Sequence, residues 1–123
     1  EGVPKGIKID RDEIQKAMDK RKPGGKFASK RKESDNVELR TGISQETTNG
    51  EKIEISIRNK DARSSDYSFI PDHPRPGHQD MVMLKRTNGE ADLRGGGTSS
   101  ARLTAPIVAA AAIIEPILSK LGI

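Results

Sequence analysis

The feature that most constrains this chain is the apolar run at residues 105–114, Ala-Pro-Ile-Val-Ala-Ala-Ala-Ala-Ile-Ile. From Ala101 onward the pattern predicts a helix. Pro106 is tolerable there in a first turn, and Pro116 should kink or end it. The alanines at 109–112 leave a smooth face that invites close packing by another element. Such a helix has to be buried, yet the rest of the chain offers little to cover it. Ile, Val, Leu and Phe make up only 25 of 123 residues, and 33% of the chain is charged, near the lower edge for a globular domain. Either part of the chain stays unfolded, or the helix buries itself against surface this sequence does not supply. The run is well short of the roughly 20 apolar residues that span a membrane, and Glu115-Pro116 is expected to close it, so no membrane partner is expected.

The helix is fed by Arg94-Gly-Gly-Gly-Thr-Ser-Ser-Ala-Arg102. Three glycines let backbone approach a ligand closely, and Ser99 and Ser100 supply hydroxyls and a helix cap. A helix starting here would aim its free N–H groups back at the loop and favour an anion. Arg94 and Arg102 bracket that site with fixed charge. A Gly/Ser hinge ahead of a core helix has the same composition, so the loop alone leaves both readings open.

At the other end, residues 1–9 read as an extended lead-in, and Asp10 begins a helix over about residues 11–21. Asp10 and Glu13 have capping-box spacing, and Ile9 and Ile14 that of a hydrophobic staple. Ile14, Ala17 and Met18 make a narrow apolar face, and Pro23-Gly24 stops the helix. Residues 20–32 carry seven basic side chains and no acidic one. This is either a solvated loop or a clamp for a phosphorylated ligand. Residues 37–43 and 53–57 look like an antiparallel hairpin: Ile53, Ile55 and Ile57 alternate with polar residues, and Val37, Leu39 and Thr41 supply the matching inward face. The turn is expected at Thr47-Thr-Asn-Gly50. Residues 59–80 form a long irregular stretch holding both histidines. His73 reads as a surface residue, whereas His78 follows Arg75-Pro-Gly, a rigid turn that could aim its imidazole. An Arg75–His78 pair would suit binding and protonating an anion. Residues 81–85 are a strand candidate, and Thr87-Asn-Gly89 a turn.

Composition narrows the function classes. At 123 residues the chain is sized for one domain. With no cysteine it has neither disulfides nor thiolate metal sites, which suits a cytoplasmic protein. The two histidines lack a third ligand, so no metal is expected. A net charge of +4 favours polyanions or phosphorylated small molecules. With one Tyr, two Phe and no Trp, a base-stacking nucleic-acid platform is not expected. A Walker A motif is absent, and no Ser–His–acid set can be picked out.

Several segments in order resemble the chorismate synthase family over nearly the full length. They are Gly2-Val-Pro…Gly6, Asp12-Glu-Ile-Gln15, Lys20-Arg-Lys-Pro-Gly24, Arg31-Lys-Glu-Ser-Asp-Asn-Val37, Thr41-Gly-Ile43, Arg58-Asn-Lys-Asp61 and Ser65-Asp-Tyr67. The most specific are Arg75-Pro-Gly-His-Gln-Asp80 and Asp92-Leu-Arg-Gly-Gly-Gly-Thr-Ser-Ser-Ala-Arg-Leu-Thr-Ala105. The resemblance implies an α+β fold, part of a β-α-β sandwich with an antiparallel hairpin packed against helices, in a homotetramer. It implies a lyase eliminating phosphate from 5-enolpyruvylshikimate 3-phosphate to give chorismate, with reduced FMN and NADPH as a possible reductant of the flavin. By family pattern His78 is an acid near flavin and substrate. Arg21, Arg75, Ser100 and Arg102 bind substrate, and Thr98, Ser99, Ser100, Arg21 and Lys26 hold FMN. Two positions depart from the pattern: Thr98 stands where the family has Arg, and Lys26 falls in a basic loop one residue shorter than usual. The family's opening element with a second histidine is expected before Glu1 and its large remainder after Ile123, making residues 1–123 a fragment of a single domain. The rival readings are a non-enzymatic basic module for RNA or another polyanion, and a degenerate scaffolding member of the family.

Overall fold

A computed structural model describes residues 1–24, 26, 34–60, 64–93 and 97–123. It is α+β, and its contacts divide the chain into two compact units, Glu1–Asn59 with Thr104–Ile123, and Lys60–Leu103.

In the first unit, α1 (Arg11–Lys20) begins where the capping pattern places it. Asp10 accepts hydrogen bonds from the N–H groups of Asp12 and Glu13. Only half of the capping box forms, because Glu13 turns away to pair with Lys16 at 2.6 Å. Ile9 and Ile14 are both buried in one cluster with Met18, so the staple is made. Strands β1 (Val37–Thr41) and β4 (Glu54–Ile57) pair antiparallel, with Val37 opposite Ile57 and Leu39 opposite Ile55. A bulge after Leu39 shifts the register, so Thr41 faces Glu54 and is exposed, not part of the inward face.

The expected turn at residues 47–50 is corrected. A second small hairpin, β2 (Ile43–Ser44) with β3 (Thr47–Thr48), lies between the long strands and turns at Gln45-Glu46, both at positive φ. The two threonines are strand residues because the lead-in docks on them. Gly6 N–H donates to the Thr48 carbonyl at 2.8 Å and Thr48 N–H to that of Ile7 at 2.9 Å. The Thr48 hydroxyl, 2% exposed, donates to the Pro4 carbonyl and accepts from Ile7 N–H. Gly42 sits at φ +78°, where a Cβ would meet the Lys52 carbonyl oxygen at 2.7 Å; only glycine fits that crossing.

Helix α3 is Thr104–Lys120. It starts with Pro106 in its first turn, as expected, but Pro116 neither ends it nor is Glu115-Pro116 its close. Pro116 forfeits the bond to the carbonyl four residues back, and the helix runs on for one further turn. With the preceding turn, residues 101–120 are long and apolar enough to cross a membrane by length and composition, which corrects the expectation that the run is too short. Within the first unit its stripe of Ala105, Ala109 and Ile113 is buried with Ile9, Ile14 and Met18, and β4 also packs against it. Alanine at two of those three positions lets α1 approach closely, the use the smooth face suggests.

In the second unit, a 3-10 turn at Ser64–Tyr67 precedes Ile70, which is fully buried. Residues 81–85, expected as a strand, belong to helix α2 (Asp80–Arg86). Four apolar residues in a row carry no period. Acid at the start, Lys85 and Arg86 at the end, and a left-handed Asn88-Gly89 exit favour the helix. A 3-10 turn at Ala101–Leu103 closes the unit.

Candidate active site

A cavity of about 260 Å³ lies within the second unit. One wall is Tyr67, Arg75, His78, Gln79, Asp80 and Met83. The other is Asp92, Leu93 and the loop from Gly97 to Ala101. The two motifs most specific in sequence thus meet across one space, and His78, Arg75, Thr98, Ser99 and Ser100 all line it.

The Arg75-Pro-Gly-His turn is built by Gly77 at φ +73° and by His78 N–H donating to the Arg75 carbonyl. The His78 imidazole is exposed on the wall, as are Thr98 and Ser99, and Ser100 is half-buried. The expected Arg75–His78 pair is not what forms. Arg75 Nε and Nη2 donate to the two Asp80 carboxylate oxygens at 2.7 and 2.8 Å, and its backbone N–H adds a third bond at 3.0 Å. The guanidinium also sits 5.3 Å from the centre of the Tyr67 ring, within cation–π range. The Arg75 hydrogen bonds hold the Asp80 carboxyl at about 2, against the opposing pull of desolvation, and the same pair raises Arg75. Asp80 and Tyr67 fall within the family-like motifs, but residue type and spacing assign neither a role. The available signal was an acid five residues after an arginine across a Pro-Gly turn, close enough to close a bidentate pair.

Within residues 97–103, the described part of the loop, three N–H groups are used locally. Ser100 caps the 3-10 turn, its hydroxyl accepting from Arg102 N–H at 3.2 Å. Ser100 and Leu103 N–H donate to the Gly97 and Ser100 carbonyls. These donors are spent inside the loop, and the long helix starts only at Thr104. Thr98 and Ser99 are exposed on this wall, and Arg75 lines the opposite one. Arg102 is half-buried in the turn and is not on the described wall. Arg94 lies outside the described residues.

The other expected site residues belong to the first unit. Arg21 follows α1 as its C-cap and pairs through Nη2 with the buried Asp35 at 2.7 Å. Lys26 is exposed. The remaining basic residues of 27–33 lie outside the described residues. Among the described residues no group of His, Asp and Glu could hold a metal.

The cavity of this α+β chain thus joins a clamped arginine, an exposed histidine and a run of hydroxyl side chains. Comparison with known proteins is specific. The sequence pattern of chorismate synthase matches residues 1–123. Chorismate synthase of Aliarcobacter butzleri is 50% identical over 100% of this chain and 34% of its own length. That of Bordetella avium is 47% identical over 98% and 34%, and that of Aeropyrum pernix 42% over 99% and 32%. The chain belongs to the chorismate synthase family. It spans about a third of the length of the curated relatives it matches.

Proposed function

We propose that this chain carries part of the active site of a chorismate synthase, a lyase that eliminates phosphate from 5-enolpyruvylshikimate 3-phosphate. What supports the reading is that one cavity gathers Arg75, His78, Thr98, Ser99 and Ser100 in a chain that matches the family along its full length. The guanidinium and hydroxyls hold anionic oxygens, stabilising charge as a phosphate departs. His78 acts as general acid, giving a proton from a ring nitrogen to an oxygen in the cavity. Roles for Arg21 and Arg102 toward the substrate, and for Arg21 and Lys26 toward the cofactor, rest on family membership alone.

Reduced FMN is the cofactor of this reading. The second unit fits one part of it: the hydroxyls of residues 98–100 suit a phosphate or a polar ring edge. At about 260 Å³ the cavity is smaller than the roughly 300–1,000 Å³ that encloses a drug-sized ligand, so it accommodates a portion of the flavin. When bound, the flavin supplies electron density for breaking a C–O bond without net redox change. Thr98 in place of the family's Arg keeps a hydrogen-bond donor but gives up a charge. A homotetrameric, cytoplasmic assembly and NADPH as flavin reductant belong to the same reading and rest on family membership alone.

The test is to place these 123 residues in the Aliarcobacter butzleri relative, in place of its matching segment, and to measure chorismate formation with reduced FMN. The hybrid should turn over, and His78→Ala should lower kcat by about 10²–10⁴-fold. A folded, flavin-binding hybrid without activity would sink the reading.

A further inference from the structure

The Arg75–Asp80 pair is held by three hydrogen bonds and is largely shielded from solvent on the Asp80 side. Asp80 is 7% exposed and takes both Arg75 Nε and Nη2 as well as the Arg75 backbone N–H. That arrangement occupies the side edge of the guanidinium and fixes its plane, and the Tyr67 ring lies against it. The N–H groups on Nη1 and on the far side of Nη2 form the open end of the fork. They have no partner among the described residues. Arg75 lines the cavity, so that open end is what an anion there would meet.

We infer that Asp80 is a positioning residue: it holds Arg75 with its side edge occupied, so that the end of the fork receives an oxyanion of the substrate. This rests on the proposed lyase reading for the identity of the anion, but not for the geometry. A flexible arginine would lose rotamer freedom on binding, whereas a clamped one has already lost it. Asp80 also brings a negative charge beside the site, which opposes anion binding. The two effects have opposite signs, and their difference is measurable. If Asp80 were only a neighbouring charge, or only the first-turn acid of α2, Asp80→Asn would tighten phosphate binding or leave it unchanged. As a positioning residue, its loss weakens binding despite the charge removed.

The test uses the hybrid described above, with inorganic phosphate as probe. Asp80→Asn and Arg75→Ala should each weaken phosphate binding by about 10-fold, the scale of one charge-assisted hydrogen bond. In the Arg75→Ala background Asp80→Asn should have no further weakening effect, because coupled residues are not additive. Unchanged or tighter binding in Asp80→Asn, or fully additive losses, overturns the assignment. Should the variants fold poorly, the unaltered protein still decides. The Arg75 Nε–H should exchange slowly by 15N NMR and its resonance should move on adding phosphate; exchange as fast as in exposed arginines overturns the proposal. Chorismate formation is scored separately. Its absence alongside coupled phosphate binding defeats the lyase reading and leaves the role of Asp80 standing.

Discussion

At the scale of single residues, Asp80 sets the behaviour of the cavity wall. Its carboxyl is held at about 2 rather than 3.8, chiefly by the Arg75 hydrogen bonds. A depressed folded value means that the contribution of the pair to stability is complete above about 3.8. It is lost as pH falls through about 2. Carboxyl-carbon NMR should therefore find an Asp80 midpoint near 2, and Asp80→Asn should remove that acid step from the stability profile. A midpoint at the ordinary carboxylate value would mean the pair is not formed. The arginine and the histidine were legible from residue type and the Pro-Gly turn. The partner of the arginine was not, because the spacing allows a pair with Asp80 but does not choose between Asp80 and His78.

At the scale of elements, what depends on neighbours four residues away could be read directly. The Asp10 cap is one case, since capping is a bond between a side chain and the next turn. Asp10→Ala should cost about 0.5–2 kcal/mol, seen as a lower urea midpoint with unchanged slope; no change would mean the cap is spent on solvent. The β1–β4 pairing was equally legible, because Ile53, Ile55 and Ile57 alternate. Two elements were not. Residues 81–85 have no polar positions to reveal a period, so charge at the helix ends and the Asn88-Gly89 exit decide in favour of α2. The turn at Gln45-Glu46 puts two non-glycine residues at positive φ, a local cost that the docking of residues 6–9 on β3 offsets. Local propensity favours glycine at such positions, so the sequence points to Asn49-Gly50 instead.

At the scale of the whole chain, the first unit is made from both ends, Glu1–Asn59 and Thr104–Ile123, with residues 60–103 between them in sequence. Its core is one cluster of Ile9, Ile14, Met18, Ala105, Ala109 and Ile113. Met18 is fully buried, so Met18→Ala should destabilise this unit by about 2–5 kcal/mol. Hydrogen exchange should show amides of α1, α3 and β4 losing protection together. Loss confined to α1 would mean that the core is not shared. Helix α3 still exposes Ile107, Ile114 and Leu118, in keeping with a chain that has more apolar helix than cover for it.

The sequence by itself determined the family, the α+β class, the Asp10-capped helix, the pairing of Val37 and Leu39 with the isoleucines, and the arginine, histidine and hydroxyl residues that line part of the cavity. Each of these rests on short-range chemistry or on a motif read in order. The tertiary structure alone decided that α3 continues through Pro116, that the loop spends N–H groups of residues 100, 102 and 103 on itself, and that Arg75 answers to Asp80. Those outcomes turn on which groups meet in space. A positive φ at Gln45-Glu46 or a buried carboxylate at Asp80 is tolerated where the hydrogen bonds around it outweigh its local cost.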